Sequence, residues 1–174
     1  MVEMVVESVR VSLTTQNRVV ILKDKSTERY LLIWIGPLEA WAIASAVAGV
    51  PPPRPTTHDL VKSVVDELGA KVTQVIVNDL REETFYARII MDSGGRHIEL
   101  DSRPSDAIAV AVRVKAPIYV EEQVLNSAGV TPDSEDAPPA AETAGEKVDI
   151  EKLSAFQELI NGLDTLDDLG KPKS

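Results

Sequence analysis

Apolar and polar residues alternate over residues 3–13, where Val5, Val9, Val11 and Leu13 share one side of an extended chain, and strand-like patterning returns over 19–22 and 30–35. Gly36 and Pro37 stop the third strand, and residues 38–48 form an alanine-rich helix that Gly49 closes. A proline-rich connector, 50–55, leads to a second helix over 56–68, with Leu60, Val61, Val64, Val65 and Leu68 as its apolar face and Gly69 as its stop. Residues 71–80 and 84–92 read as a hairpin, and 96–100 returns after the turn Ser93-Gly94-Gly95. The run Ala107 to Val112 carries no polar side chain, so the helix starting near Pro104 and Ser105 is buried on nearly every face. A short strand, 118–120, and a helical turn, 121–128, close the body, and Trp34 and Trp41 read as core. Strands outnumber helices and short turns join them. The predicted fold class is therefore α+β, with a mixed, mainly antiparallel sheet and packed helices.

Beyond residue 130 the pattern changes. Residues 131–147 are rich in Pro, Ala, Asp and Glu without large apolar side chains, which predicts a flexible acidic linker. Val148, Ile150, Leu153, Phe156, Leu159, Ile160 and Leu163 then recur at near-helical spacing, so residues 148–174 are expected to hold an amphipathic helix. So short a helix needs a surface to dock on: its own body, a second copy or a partner protein. The domain division is thus 1–130, 131–147 and 148–174.

Charge and composition narrow the function classes. The net charge is −10; residues 131–174, with 4 Lys or Arg and 11 Asp or Glu, carry −7 of it, and residues 1–130 carry −3. That balance argues against tight, metal-free binding of DNA through a basic patch. The absence of cysteine excludes disulfides and thiol chemistry and fits a cytoplasmic protein. No run has the apolar length of a membrane span, and the N-terminus carries acid where a signal peptide carries base.

The candidate chemistry gathers at three helix starts. In LDSRPSDAIAVAVR, residues 100–113, Pro104 suits a first helical turn, Ser105 is placed to cap it, and Asp106 sits at the positive end of the helix dipole. Asp101 and Asp106 could bind a divalent cation, with Arg103 and the helix amides holding a phosphate oxygen; the same residues also read as ordinary caps and ion pairs. In PPRPTTHDLV, residues 52–61, Thr56 and Asp59 resemble a capping box, His58 is placed to act as general base, ligand or phosphate donor, and Arg54 is a cation held between prolines. Glu39 repeats the logic after Gly36 and Pro37. If these helix starts share one side of the sheet, Glu39, Asp59, Asp101 and Asp106 could converge on one cation. His97, alternating along a strand, reads as a solvated residue.

At these residues the chain resembles the bifunctional nuclease domain family. IWIGPLEAWAIA (33–44), PRPTTHDLV (53–61), and LDSRPSDAIAVAVR with APIYVEEQVL (within 100–125) carry the resemblance, supported by FYARI (85–89), and it spans about residues 2–130. It implies a mixed α+β domain, a homodimer, and action on both DNA and RNA, as reported for some members. The matched polar positions are Glu39, Arg54, His58, Asp59, Asp101, Arg103, Ser105 and Asp106, and the match marks them without assigning roles. The expectation is a phosphodiester hydrolase in which Asp101 and Asp106 hold Mg²⁺ or Mn²⁺, with Glu39 or Asp59 as further ligands. His58 would move the proton, and Arg54, Arg103 and Ser105 would bind substrate. The alternatives are a non-catalytic binding or regulatory module and a receptor for a small phosphorylated ligand at the same corners.

Overall fold

The computed structural model describes residues 1–12 and 17–132. The expected end of the first strand at Leu13, and the linker and tail from residue 133 onward, lie outside the described residues. The body contains β1 (Val2–Val11), β2 (Arg18–Asp24), β3 (Tyr30–Ile35), α1 (Pro37–Val47), α2 (Thr57–Glu67), β4 (Ala70–Arg81), β5 (Thr84–Ser93), β6 (Arg96–Ser102), α3 (Pro104–Val114), β7 (Ile118–Val120), α4 (Glu122–Ala128) and β8 (Gly129–Val130). The two-residue β8 carries no alternation and was not expected.

The eight strands form one sheet in the order β6-β5-β4-β7-β1-β2-β3-β8. Consecutive strands joined by tight turns pair antiparallel, and the β4–β7 pair is parallel, as Val75, Ile76 and Val77 align with Ile118, Tyr119 and Val120. The fold class is therefore mixed α+β, mainly antiparallel. Helix α3 packs on β4 and β5 and also on β3, although three strands separate β4 from β3 in the sheet. Only a curled sheet lets one short helix reach both. The curl encloses a core that includes Met4, Leu22, Leu31, Ile43, Val75, Ile108 and Val120.

The helix patterns have distinct outcomes. In α3, Pro104, Ser105 and Ala107 through Ala111 are all buried, as the unbroken apolar run requires. The alanine-rich α1 packs beside it, since small side chains allow close approach of helix axes. Two expectations are corrected. None of α2 is buried: Val61 and Val65 pack against the core, while Leu60, Val64 and Leu68 are 59%, 48% and 73% exposed. One row of apolar residues thus faces the core and the next faces out. Trp34 is not core, with 63% of its surface exposed on β3, whereas Trp41 packs against the core.

Candidate active site

Each of the first three helices begins with an acid in its first turn: Glu39 in α1, Asp59 in α2 and Asp106 in α3. Backbone amides that lack a helical partner, and the positive end of the dipole, favour carboxylates there. Because α3 lies against both α1 and α2, their starts can exchange side-chain contacts.

Asp106 is the hub. Its Oδ1 lies 3.1 Å from His58 Nε2, and its Oδ2 accepts from Arg103 Nε at 2.7 Å. Arg103 Nη2 donates to Asp106 Oδ1 at 3.1 Å and to Glu39 Oε1 at 2.8 Å, so one guanidinium joins the starts of α1 and α3. Burial pushes the Asp106 carboxyl up, but hydrogen bonds from Arg103 and His58 outweigh it and hold the group below the usual Asp range. Arg103 is raised above its ordinary value by the Asp106 hydrogen bond first and by Glu39 second. His58 is largely shielded, its side chain 12% exposed, while Arg103 is open to solvent at 65%. Gly36 makes room for this arrangement: a Cβ at that position would stand 2.3 Å from Glu39 Oε2.

Asp59 belongs to a second cluster. Its Oδ2 accepts from the Thr56 amide at 2.8 Å and from the Thr56 hydroxyl, the carboxylate half of the expected capping box. Its Oδ1 accepts from Arg113 Nε at 2.7 Å. Burial raises the Asp59 carboxyl, and the Thr56 and Arg113 hydrogen bonds more than reverse that. Arg113 was missed in the sequence reading. At the end of an apolar helix it reads as a charge complementing the dipole, and its acceptors lie far away along the chain.

The remaining nominated residues stand apart. Asp101 is exposed on the edge strand β6, directly across from Arg88, and is not among the hydrogen-bond or ion-pair partners of Asp106, Arg103 or His58. Ser105 is not a cap: the helix starts one residue earlier, at Pro104, with Arg103 preceding it, and Ser105 is buried with 7% of its surface exposed. Arg54 is exposed and, among the described residues, has no hydrogen-bond or ion-pair partner, so its charge is free to meet an anion. His97 is exposed, as its strand position suggested, beside Glu99.

The proposed metal set does not assemble. Among the described residues no group of three or more His, Asp or Glu side chains is placed to hold one ion. Both Asp106 oxygens and one oxygen of Glu39 are satisfied by Arg103 and His58, and Asp59 by Thr56 and Arg113. Carboxylates neutralised by arginine do not supply the uncompensated oxygen charge that Mg²⁺ or Mn²⁺ requires, so these residues do not fit the cation as arranged.

A family model for the bifunctional nuclease domain matches residues 20–133, a segment that contains Glu39, Arg54, His58, Asp59, Asp101, Arg103, Ser105, Asp106 and Arg113. The chain belongs to the bifunctional nuclease domain family. An uncharacterized protein of Mycobacterium tuberculosis strain H37Rv is 43% identical over 160 residues, covering 91% of this chain and 94% of the relative. Bifunctional nuclease 2 of Oryza sativa subsp. japonica is 32% identical over 118 residues, 66% of this chain and 36% of the plant protein. Bifunctional nuclease 1 of Arabidopsis thaliana is 32% identical over 115 residues, 64% and 35% of the two chains. The bifunctional nuclease domain here thus matches about a third of the length of those plant proteins. No helix among its described residues is long and apolar enough to cross a membrane.

Proposed function

We propose that this bifunctional nuclease domain hydrolyses phosphodiester bonds of DNA and RNA, with His58 as general base and Asp106 as the group that orients it. The observation that carries this reading is the contact between His58 Nε2 and Asp106 Oδ1 across 48 residues of sequence, at the meeting of two helix starts. A carboxylate on one ring nitrogen fixes the proton there and leaves the other nitrogen, Nδ1, as the acceptor. Water attacks phosphorus as its proton passes to Nδ1. One ester P–O bond breaks, and the imidazolium returns the proton to the departing alkoxide, giving an alcohol and a phosphomonoester. Arg54 supplies a free charge for a non-bridging phosphate oxygen, while the fork of Arg103 holds Asp106 and Glu39. No step is assigned to a metal ion.

The test is cleavage of end-labelled single-stranded DNA and RNA, with Mg²⁺ present as counter-ion, by wild type and single variants purified identically. His58→Ala is expected to lower kcat by at least about a hundredfold, the range of lost acid–base assistance, and Asp106→Asn by at least about tenfold. Arg54→Ala is expected to act mainly on KM. Cleavage by His58→Ala at the wild-type rate contradicts the assignment. A second reading, an interaction module, is favoured by the exposed row of Leu60 and Val64 on α2 with Leu68 just after it; the absence of cleavage by wild type would favour it.

A further inference from the structure

The side chain of Arg113 is 6% exposed, although it carries a full charge at the end of α3. Its donors reach three helices. Nε binds Asp59 Oδ1 on α2 at 2.7 Å, and Nη1 binds the carbonyls of Ala42 on α1 and Ala109 on α3, each at 2.9 Å. Nη2 stands 3.5 Å from the Thr56 hydroxyl just before α2. The planar fork satisfies divergent acceptors at fixed angles, which a lysine ammonium cannot reproduce. Helix α2 has no buried residue, and among the described residues its apolar packing on the core runs through the half-buried Val61 and Val65, more than half a turn beyond His58. The anchored residues Thr56 and Asp59 bracket His58 on either side.

We propose that Arg113 is a positioning residue that sets the first turn of α2 so that His58 meets Asp106, an inference that rests on the reading of His58 as the base. It touches neither substrate nor the reacting atoms and acts through Asp59 and Thr56. Removing its fork should release the start of α2 and lengthen the His58–Asp106 contact.

The experiment uses the full chain and nitrogen NMR of the imidazoles, simplified because the chain has only two histidines and the exposed His97 can be replaced by Gln. In wild type, His58 Nε2 should show the shift of a hydrogen-bonded donor. In Arg113→Met that signal should move towards free imidazole, and kcat should fall by at least about tenfold, the scale of a misplaced catalytic group. KM should stay within about twofold of wild type. Arg113→Lys, which keeps charge but not the fork, should not restore either readout. Val110→Ala, which removes buried α3 packing, is the control: it should lower stability and leave the His58 signal unmoved. If Arg113→Met does not fold, Asp59→Asn and Thr56→Val carry the test, since each weakens one side of the same anchor. A folded Arg113→Met protein with the wild-type His58 signal overturns the proposal. A moved signal in a chain that never cleaves nucleic acid keeps the positioning role and removes the nuclease reading; lost cleavage with an unmoved signal does the reverse.

Discussion

Asp106 shares its two oxygens among three donor groups, and the identity of its neighbours decides what it can do. A carboxylate clamped by an arginine stays ionised and still, which is what orienting an imidazole requires. The clamp has a remote lever in Gly36. Gly36→Ala should fold with stability within about 1 kcal/mol of wild type, because the atoms nearest the new Cβ are those of the movable end of Glu39. The displaced carboxylate should then leave Arg103, so Gly36→Ala and Glu39→Ala should change cleavage by the same factor, and the double variant by no more than either. Additive losses in cleavage assays would contradict that coupling. First-turn residues such as Glu39, His58, Asp59 and Asp106 were legible in the sequence because helix starts are locally encoded by Pro, Thr and Gly before an acid. Arg113 was not, because its partners lie 54 and 71 residues away. The placement of Asp101 was not legible for the opposite reason: nearness in sequence suggested nearness in space, but Asp101 stays on the strand while Asp106 is on the helix.

Most of the strands and helices were legible because their periods are clear and several end at Gly or Pro, including Gly49 and Gly69 at positive φ. The burial of α2 was not. Its five apolar residues fit one face by periodicity, yet the core accepts only part of that arc. The β4–β5 hairpin was expected, but its turn is unusual in chemistry. Glu82 and Glu83 hold φ values of 46° and 62°, a conformation that favours Asn and Gly. Replacing them as Glu82→Asn and Glu83→Gly should raise stability by about 1 kcal/mol in all, read as a higher urea midpoint at unchanged slope. An unchanged or lower midpoint would show that the two glutamates carry no conformational cost.

Across the whole molecule, the curled sheet brings α1, α2 and α3 together, so site geometry and global stability share ion pairs. Asp24, the last residue of β2, repeats the pattern. Burial raises its carboxyl, while hydrogen bonds from Thr27, Ser26 and Arg29 more than reverse that, and Arg29 continues to Glu122 on α4. Asp24, Asp59 and Asp106 all titrate below the ordinary Asp value of 3.8 when folded. A depressed folded value adds stability that is present above the unfolded value and lost as pH falls through the folded one. Urea titrations should therefore show a loss of stability beginning as pH drops below about 4, shallower in Asp106→Asn; a flat profile down to pH of about 2 would refute it. The central claim, that His58 and Asp106 act as one unit on a phosphodiester, is tested most directly by a double-mutant cycle on cleavage of labelled single-stranded DNA and RNA. The account predicts that His58→Ala with Asp106→Asn is no slower than His58→Ala alone, because the carboxylate acts through the imidazole. Multiplicative losses, or cleavage that survives in the double variant at the wild-type rate, would contradict it.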